Sequence, residues 1–374
     1  MTSNRWTNEF LDEMREAGDP PADEAVRYLF EEGDIAAVNA LLMTLIENDD
    51  PPSEQLPPII LDYINHTDDI PHWADREQIS RGESLFARYG PQAFTVLLCY
   101  SLPACYAARD GVEVLYQTAR MATNTRRRIV ETAQMVIDVM SPGGTLPGGK
   151  GAGIRTAQKV RLLHAAIRRL ILQSRKWDPE RGLPINQEEL AGTLLTFSYC
   201  IIDGLQKLGV DMEPEEANAY LHAWNVIGSI MGLRYDLLAQ NMEEAAALKE
   251  LIQKRQYGTS RAGREMTHAL LELAAEIIPG ERFVGFAATL IRYFNGDETA
   301  DMLDVPEADW TQFLLKPLEF MIALGDDFGD EVSLFATASE FYSRELLRAM
   351  FEIERGGQRP SFNIPSELKS QWGI

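Results

Sequence analysis

Residues 128–176 constrain this chain more than any other stretch. They read RIVETAQMVIDVM, then SPGGTLPGGKGAG, then IRTAQKVRLLHAAIRRLILQSRK. Apolar residues recur at helical spacing on both sides of a glycine-rich break, which predicts two helices joined by a turn and folded back on one another. The second helix carries a single histidine, His164, among arginines. With Arg161 at zero on a helical wheel, His164 falls at about 300° and Arg168 at about −20°, so the three share a face. A neutral imidazole is a good axial ligand for iron, and arginines pair well with carboxylates. Haem offers one iron and two propionates, and would suit both. A solvated basic stripe with an ordinary histidine is the plain alternative. The first helix repeats the pattern: Arg128, Glu131, Thr132 and Met135 stand at i, i+3, i+4 and i+7. An intrahelical Arg128–Glu131 pair, contributing ~0.3 kcal/mol, would account for part of it. Two polar faces on antiparallel neighbours could instead meet across a cofactor.

Helical periodicity extends along the whole chain, and period-two alternation is hard to find, so the expected fold is all-α with long helices. The pattern predicts helices over 35–46, 75–89, 92–108, 112–121, 126–140, 154–176, 187–208, 213–231, 243–255, 264–278, 282–294, 308–324 and 331–355. Asn186 is the expected cap of the 187–208 helix, with Glu189 completing a capping box. We expect a helical N-terminal extension over 1–70, a main domain over 71–355 and a loosely attached polar tail over 356–374.

The formal net charge of −22 argues against nucleic acid and anionic membranes as partners. No apolar run reaches the roughly 18 residues of a membrane span. The N-terminus lacks the basic start and apolar core of a signal peptide, so a cytoplasmic protein is expected. Cys99, Cys105 and Cys200 have no CxxC spacing and read as free thiols in apolar runs. His66 and His72 lie in a loop with spacing poor for a metal, His222 reads as a packing histidine, and His268 sits on a charged helix. Lys150 in the glycine-rich turn lacks the Walker spacing, so the turn reads as a structural corner between helices.

Several segments together resemble the latex clearing protein (rubber oxygenase) family and the wider MpaB-type oxygenase superfamily. They are RGESLFARYGPQ (81–92), SLPACY (101–106), RRRIVETAQMVIDVM (126–140), KVRLLHAAIRRLIL (159–172), LPINQEELAGTLLTFSYCIIDGLQKLG (183–209), YLHAWNVIGSIMG (220–232) and, more weakly, AATLIRYFNGDETADML (287–303). The resemblance implies a globin-like helical core around haem b. It implies His164 as the proximal iron ligand, Arg161 and Arg168 at the propionates, and Arg128 and Thr132 near the oxygen site. Rubber-cleaving members often carry a lysine where Glu131 stands here, which argues against rubber as substrate. The implied reaction is haem-dependent oxidative cleavage by dioxygen of an apolar small molecule, an isoprenoid or other alkene, with Glu131 as a candidate base. A non-catalytic globin-like haem sensor or carrier, and a peroxide-dependent oxidase, are the alternatives.

Overall fold

The structure is a computed structural model that describes residues 5–32, 57–122, 125–145, 152–277 and 285–307. Among these residues the fold is all-α, as expected; a single isolated bridge, Ala108 to Tyr257, is the one β-type pairing. The helices expected at 35–46, 308–324 and 331–355, and the tail, lie outside the described residues.

In chain order the helices are α1 (Asn8–Arg15), α2 (Pro20–Glu32), α3 (Pro58–His66), α4 (Arg76–Val96), α5 (Leu102–Ala107), α6 (Gly111–Ala122) and α7 (Thr125–Met140). They continue with α8 (Gly153–Ser174), α9 (Gln187–Phe197), α10 (Tyr199–Lys207), α11 (Pro214–Ile230), α12 (Met242–Gln256), α13 (Arg261–Ile277) and α14 (Phe286–Met302). Local chemistry explains most ends. The Asp75 side chain accepts from the Glu77 and Gln78 amides and starts α4. Asn186 accepts from the Glu189 amide at 2.9 Å and starts α9.

Several boundaries differ from the sequence expectation; the helix expected to end at 294 continues to Met302 across a kink at Gly296. The break expected between 89 and 92 is present as a kink within Arg76–Val96, where Tyr89 leaves helical geometry at φ −114°, ψ 22°, two residues before Pro91. The helix then passes into a π-helical turn, Leu97–Ser101, before α5. That wider turn is held from outside, where Asn295 Nδ2 donates to the Cys99 carbonyl and Ser101 Oγ to the Thr196 carbonyl. The expected 187–208 helix is broken at Ser198, where ψ swings to −77°.

The α7–α8 corner is built as the glycines suggest. A Cβ on Gly153 would lie 2.4 Å from the Gly144 carbonyl oxygen, and one on Gly144 would lie 2.5 Å from the Asp138 carbonyl oxygen. Only glycine allows so close an approach. The corner is anchored on the buried Glu83 of α4. Its carboxylate accepts from the Gly143 amide at 2.8 Å and from both the amide and hydroxyl of Thr145. Thr156 Oγ1 of α8 then donates to Asp138 of α7 at 2.9 Å. Two helices so clamped at one end keep a fixed angle along their length.

The largest apolar core joins α4, α9, α10 and α11 to α7 and also takes in Trp6, Leu11 and Met14 from the N-terminal segment. A second core packs α2 and α3 against α8. Helix α8 is therefore buried between the N-terminal helices on one side and α7 on the other.

Candidate functional site

Two cavities of about 170 Å³ and 210 Å³ meet along α8. Both are lined by His164 and Arg128, together with Cys105, Leu115, Leu190 and Thr193. The second also takes Glu131 and Thr132 from α7 and is closed by Met135, Leu163, Phe197 and Trp224. The sequence-derived set His164, Arg128, Glu131 and Thr132 is thus brought together around one hollow.

His164 Nδ1 is buried and has no hydrogen-bond partner. Burial, reinforced by the positive charges of Arg168 and Arg128, pushes its pKa down to about 4. The ring is therefore neutral at pH 7 and keeps a lone pair. Arg128 is half-buried, and desolvation lowers its pKa, with Glu131 opposing. Its Nη1 donates to Thr118 Oγ1, a buried hydroxyl on α6 that itself donates to the Val114 carbonyl at 2.8 Å. Thr118 therefore fixes the guanidinium. Thr132 Oγ1 donates to the Arg128 carbonyl at 2.9 Å, leaving its oxygen lone pairs for a further donor.

Arg161 and Arg168 are placed elsewhere. Neither lines either of these two cavities. Arg161 forms a bidentate pair with Asp19, 2.6 and 2.7 Å, and donates to the Ile230 carbonyl at 3.2 Å. Arg168 pairs with Asp23 and donates to the Pro184 and Ile185 carbonyls. Both aspartates come from the start of α2. In this arrangement the two arginines bind the N-terminal segment to α8.

Among the polar residues of the first cavity that sequence reasoning did not place there are Glu189 and Gln256. Glu189 Oε2 accepts from the Ile185 amide at 2.8 Å, so it closes the cap one residue earlier than a standard capping box. Its Oε1 is buried without a partner, and burial pushes the carboxyl up to about 8. Gln256 donates through Nε2 to Glu188 at 2.8 Å and leaves its own buried Oε1 unpartnered. The capping pattern had signalled Glu189, but as a helix start.

Of the other histidines, His66, expected in a loop, ends α3 with its Nδ1 2.7 Å from the Asp62 carbonyl oxygen. His222 Nε2 accepts from the Asp75 amide at 2.9 Å and meets Trp73 edge-on. His268 lies 3.3 Å from Asp304. Among the described residues no cluster of three or more His, Cys, Asp or Glu is arranged to hold a metal ion. Cys99 and Cys200 are buried free thiols and Cys105 is partly buried.

The fold and this hollow point to one class. A family model described as "ER-bound oxygenase mpaB/B'/Rubber oxygenase, catalytic domain" matches residues 86–323, and the chain belongs to that family. It is 27% identical over 291 residues to a curated "Rubber oxygenase" from Streptomyces sp. (strain K30), covering 76% of this chain and 70% of that protein. A solved structure described as latex clearing protein LCP in the closed state shares the fold, with a TM-score of 0.78. It is 24% identical, over 94% of this chain and 95% of that one. The chain is therefore an oxygenase, as the motifs had implied. No helix among the described residues is long and apolar enough to cross a membrane.

Proposed function

We propose that this oxygenase carries a b-type haem on His164 and uses dioxygen to cleave a carbon–carbon double bond in an apolar small molecule, with isoprenoids and other alkenes as the substrate class. The single observation that carries the reading is His164 itself. It is a neutral imidazole with an orphaned ring nitrogen, bordering a largely apolar hollow that also collects Arg128, Glu131 and Thr132. Such a nitrogen would hold the iron of a haem, since a buried imidazole nitrogen in a structural role is ordinarily hydrogen-bonded.

The bound haem would supply activation of dioxygen. The protein supplies the rest. Arg128, held by Thr118, presents positive charge in a low-dielectric space where it stabilises developing negative charge strongly. Thr132 offers an acceptor oxygen on the same helix. Glu131 lines the second cavity and is the candidate base for an activated C–H. Met135, Leu163, Phe197 and Trp224 exclude water and orient an apolar chain. Arg161 and Arg168, assigned by resemblance to the propionates, would have to exchange Asp19 and Asp23 for them; with those partners kept, they fix α8.

The test is oxygen uptake by the purified holoprotein with small soluble isoprenoid alkenes. Uptake matched by carbonyl products is expected. A holoprotein that consumes no oxygen with any alkene would overturn the proposed substrate class.

A further inference from the structure

The cavities differ in their polar atoms. The second holds Glu131 and Thr132 among aromatic and aliphatic side chains and an unpartnered donor, Trp224 Nε1, whereas the first holds two buried oxygens with no hydrogen-bond partner, Glu189 Oε1 and Gln256 Oε1. Gln256 is 2% exposed. Its orientation is not free, because Nε2 is committed to Glu188, which is itself paired with Arg255 at 2.6 Å. The amide thus cannot turn its donor to the cavity without setting two oxygens against each other. Leaving buried acceptors unmet is costly, and natural interiors rarely do so twice in one small space.

We infer that the first cavity is a subsite for the hydroxyl end of an otherwise apolar substrate, whose chain extends from there towards the second cavity. The inference rests on the reading of the enzyme as an oxygenase of apolar alkenes and deepens it. A hydroxyl donates one hydrogen bond and accepts others, and so can donate to Gln256 Oε1 while meeting the Glu189 carboxyl. Near neutral pH that carboxyl is largely protonated and can itself donate. A hydrocarbon end leaves both oxygens unmet. A carboxylate end brings an anion against the Gln256 oxygen. Lys249 also lines this cavity, but its ammonium donates to Gln253 Oε1 at 3.0 Å and lies 5.7 Å from the centroid of the Tyr100 ring. Arg128, at the junction of the cavities, is held by Thr118.

The test is calorimetric titration of the purified holoprotein with four ligands sharing one isoprenoid chain. They are geraniol, its methyl ether, the corresponding carboxylic acid and the diene hydrocarbon lacking oxygen, with oxygen uptake recorded for each. Geraniol should bind about tenfold more tightly than the ether or the hydrocarbon, the size of two ordinary net hydrogen bonds. Gln256→Met should bring the alcohol down to the ether while leaving hydrocarbon affinity unchanged, and circular dichroism reports whether that variant folds. If it does not, the four-ligand comparison on the parent protein decides alone. Equal affinity for alcohol, ether and hydrocarbon, or no binding by any of them, overturns the subsite. Tighter binding of the acid overturns it in favour of Lys249 as the recognising group. Oxygen uptake separates the two readings: tight alcohol binding without uptake sinks the oxygenase substrate class and keeps the subsite, whereas uptake without alcohol preference does the reverse.

Discussion

The two sides of helix α8 are built on opposite principles. Towards the N-terminal helices, the strongly polar side chains are met apart from Arg169 Nε, which has no hydrogen-bond partner although its guanidinium lies over the Phe30 ring of α2. Arg161 and Arg168 have carboxylates and carbonyls, and Gln158 donates to Thr67 and to the Ile64 carbonyl. Towards α7 and α9, polar atoms are left over: His164 Nδ1, and across the hollow Glu189 Oε1 and Gln256 Oε1. Composition does not separate the two sides, since both mix cations and apolar residues. Satisfaction does. A buried polar group that is fully met holds the fold together, and one that is left unmet waits for something the protein binds.

That contrast can be broken most sharply at Asp19. Asp19→Ala leaves the buried Arg161 guanidinium without its counter-charge, and removing one member of a buried pair costs about 3–5 kcal/mol. Denaturant unfolding should show a loss of this size. A loss under ~1 kcal/mol would mean that the Arg161 face is as open as the other. Next in size is chemistry. Arg128→Ala should lower turnover about 10²–10³-fold, with Thr132→Ala having a smaller effect, because a preorganised group in the hollow is lost. Unchanged rates in both would remove α7 from the active site.

The unmet side should also show in pH dependence. Glu189 has its carboxyl raised from 4.5 to about 8. The unfolded chain therefore releases this proton near pH 4.5 while the folded chain holds it. The contribution to stability is complete below pH 4.5 and is lost as pH rises towards 8. Each unit is worth roughly 1.4 kcal/mol, and with water entering the cavity the total should be about 2–3 kcal/mol. Glu189→Gln should flatten that slope; an identical pH profile in the variant would show that the carboxyl is solvated. The smallest effect is expected at His164 in haem-free protein. Replacing an imidazole that makes no hydrogen bond at Nδ1 by phenylalanine should change stability by no more than ~1 kcal/mol. A large loss would reveal a structural partner for the ring.

Much of this was legible before the structure. The all-α class, the α7–α8 corner, the Asn186 cap and the cluster of His164 with Arg128, Glu131 and Thr132 all follow from periodicity, glycine placement and motif. These are short-range signals that act within a helix or its ends. What was hidden depends on long-range partners. Arg161 and Arg168 look alike whether they face a propionate or an aspartate, and Asp19 stands 142 residues away from Arg161 in the chain. Glu189 carried a capping pattern that explained it fully at the sequence level, so its second oxygen went unread. Gln256 carried no pattern. The π turn after α4 was hidden for the same reason, since the tertiary contacts that hold it come from Asn295 and Thr196.

The central claim is that the unmet side of α8 is a haem site with His164 as its ligand. The most direct measurement is the absorption spectrum of the purified protein beside that of His164→Ala, oxidised and reduced, with circular dichroism to confirm that both are folded. The account predicts a Soret band in the parent and its loss in the folded variant. A variant that keeps the parent's full haem content would contradict it.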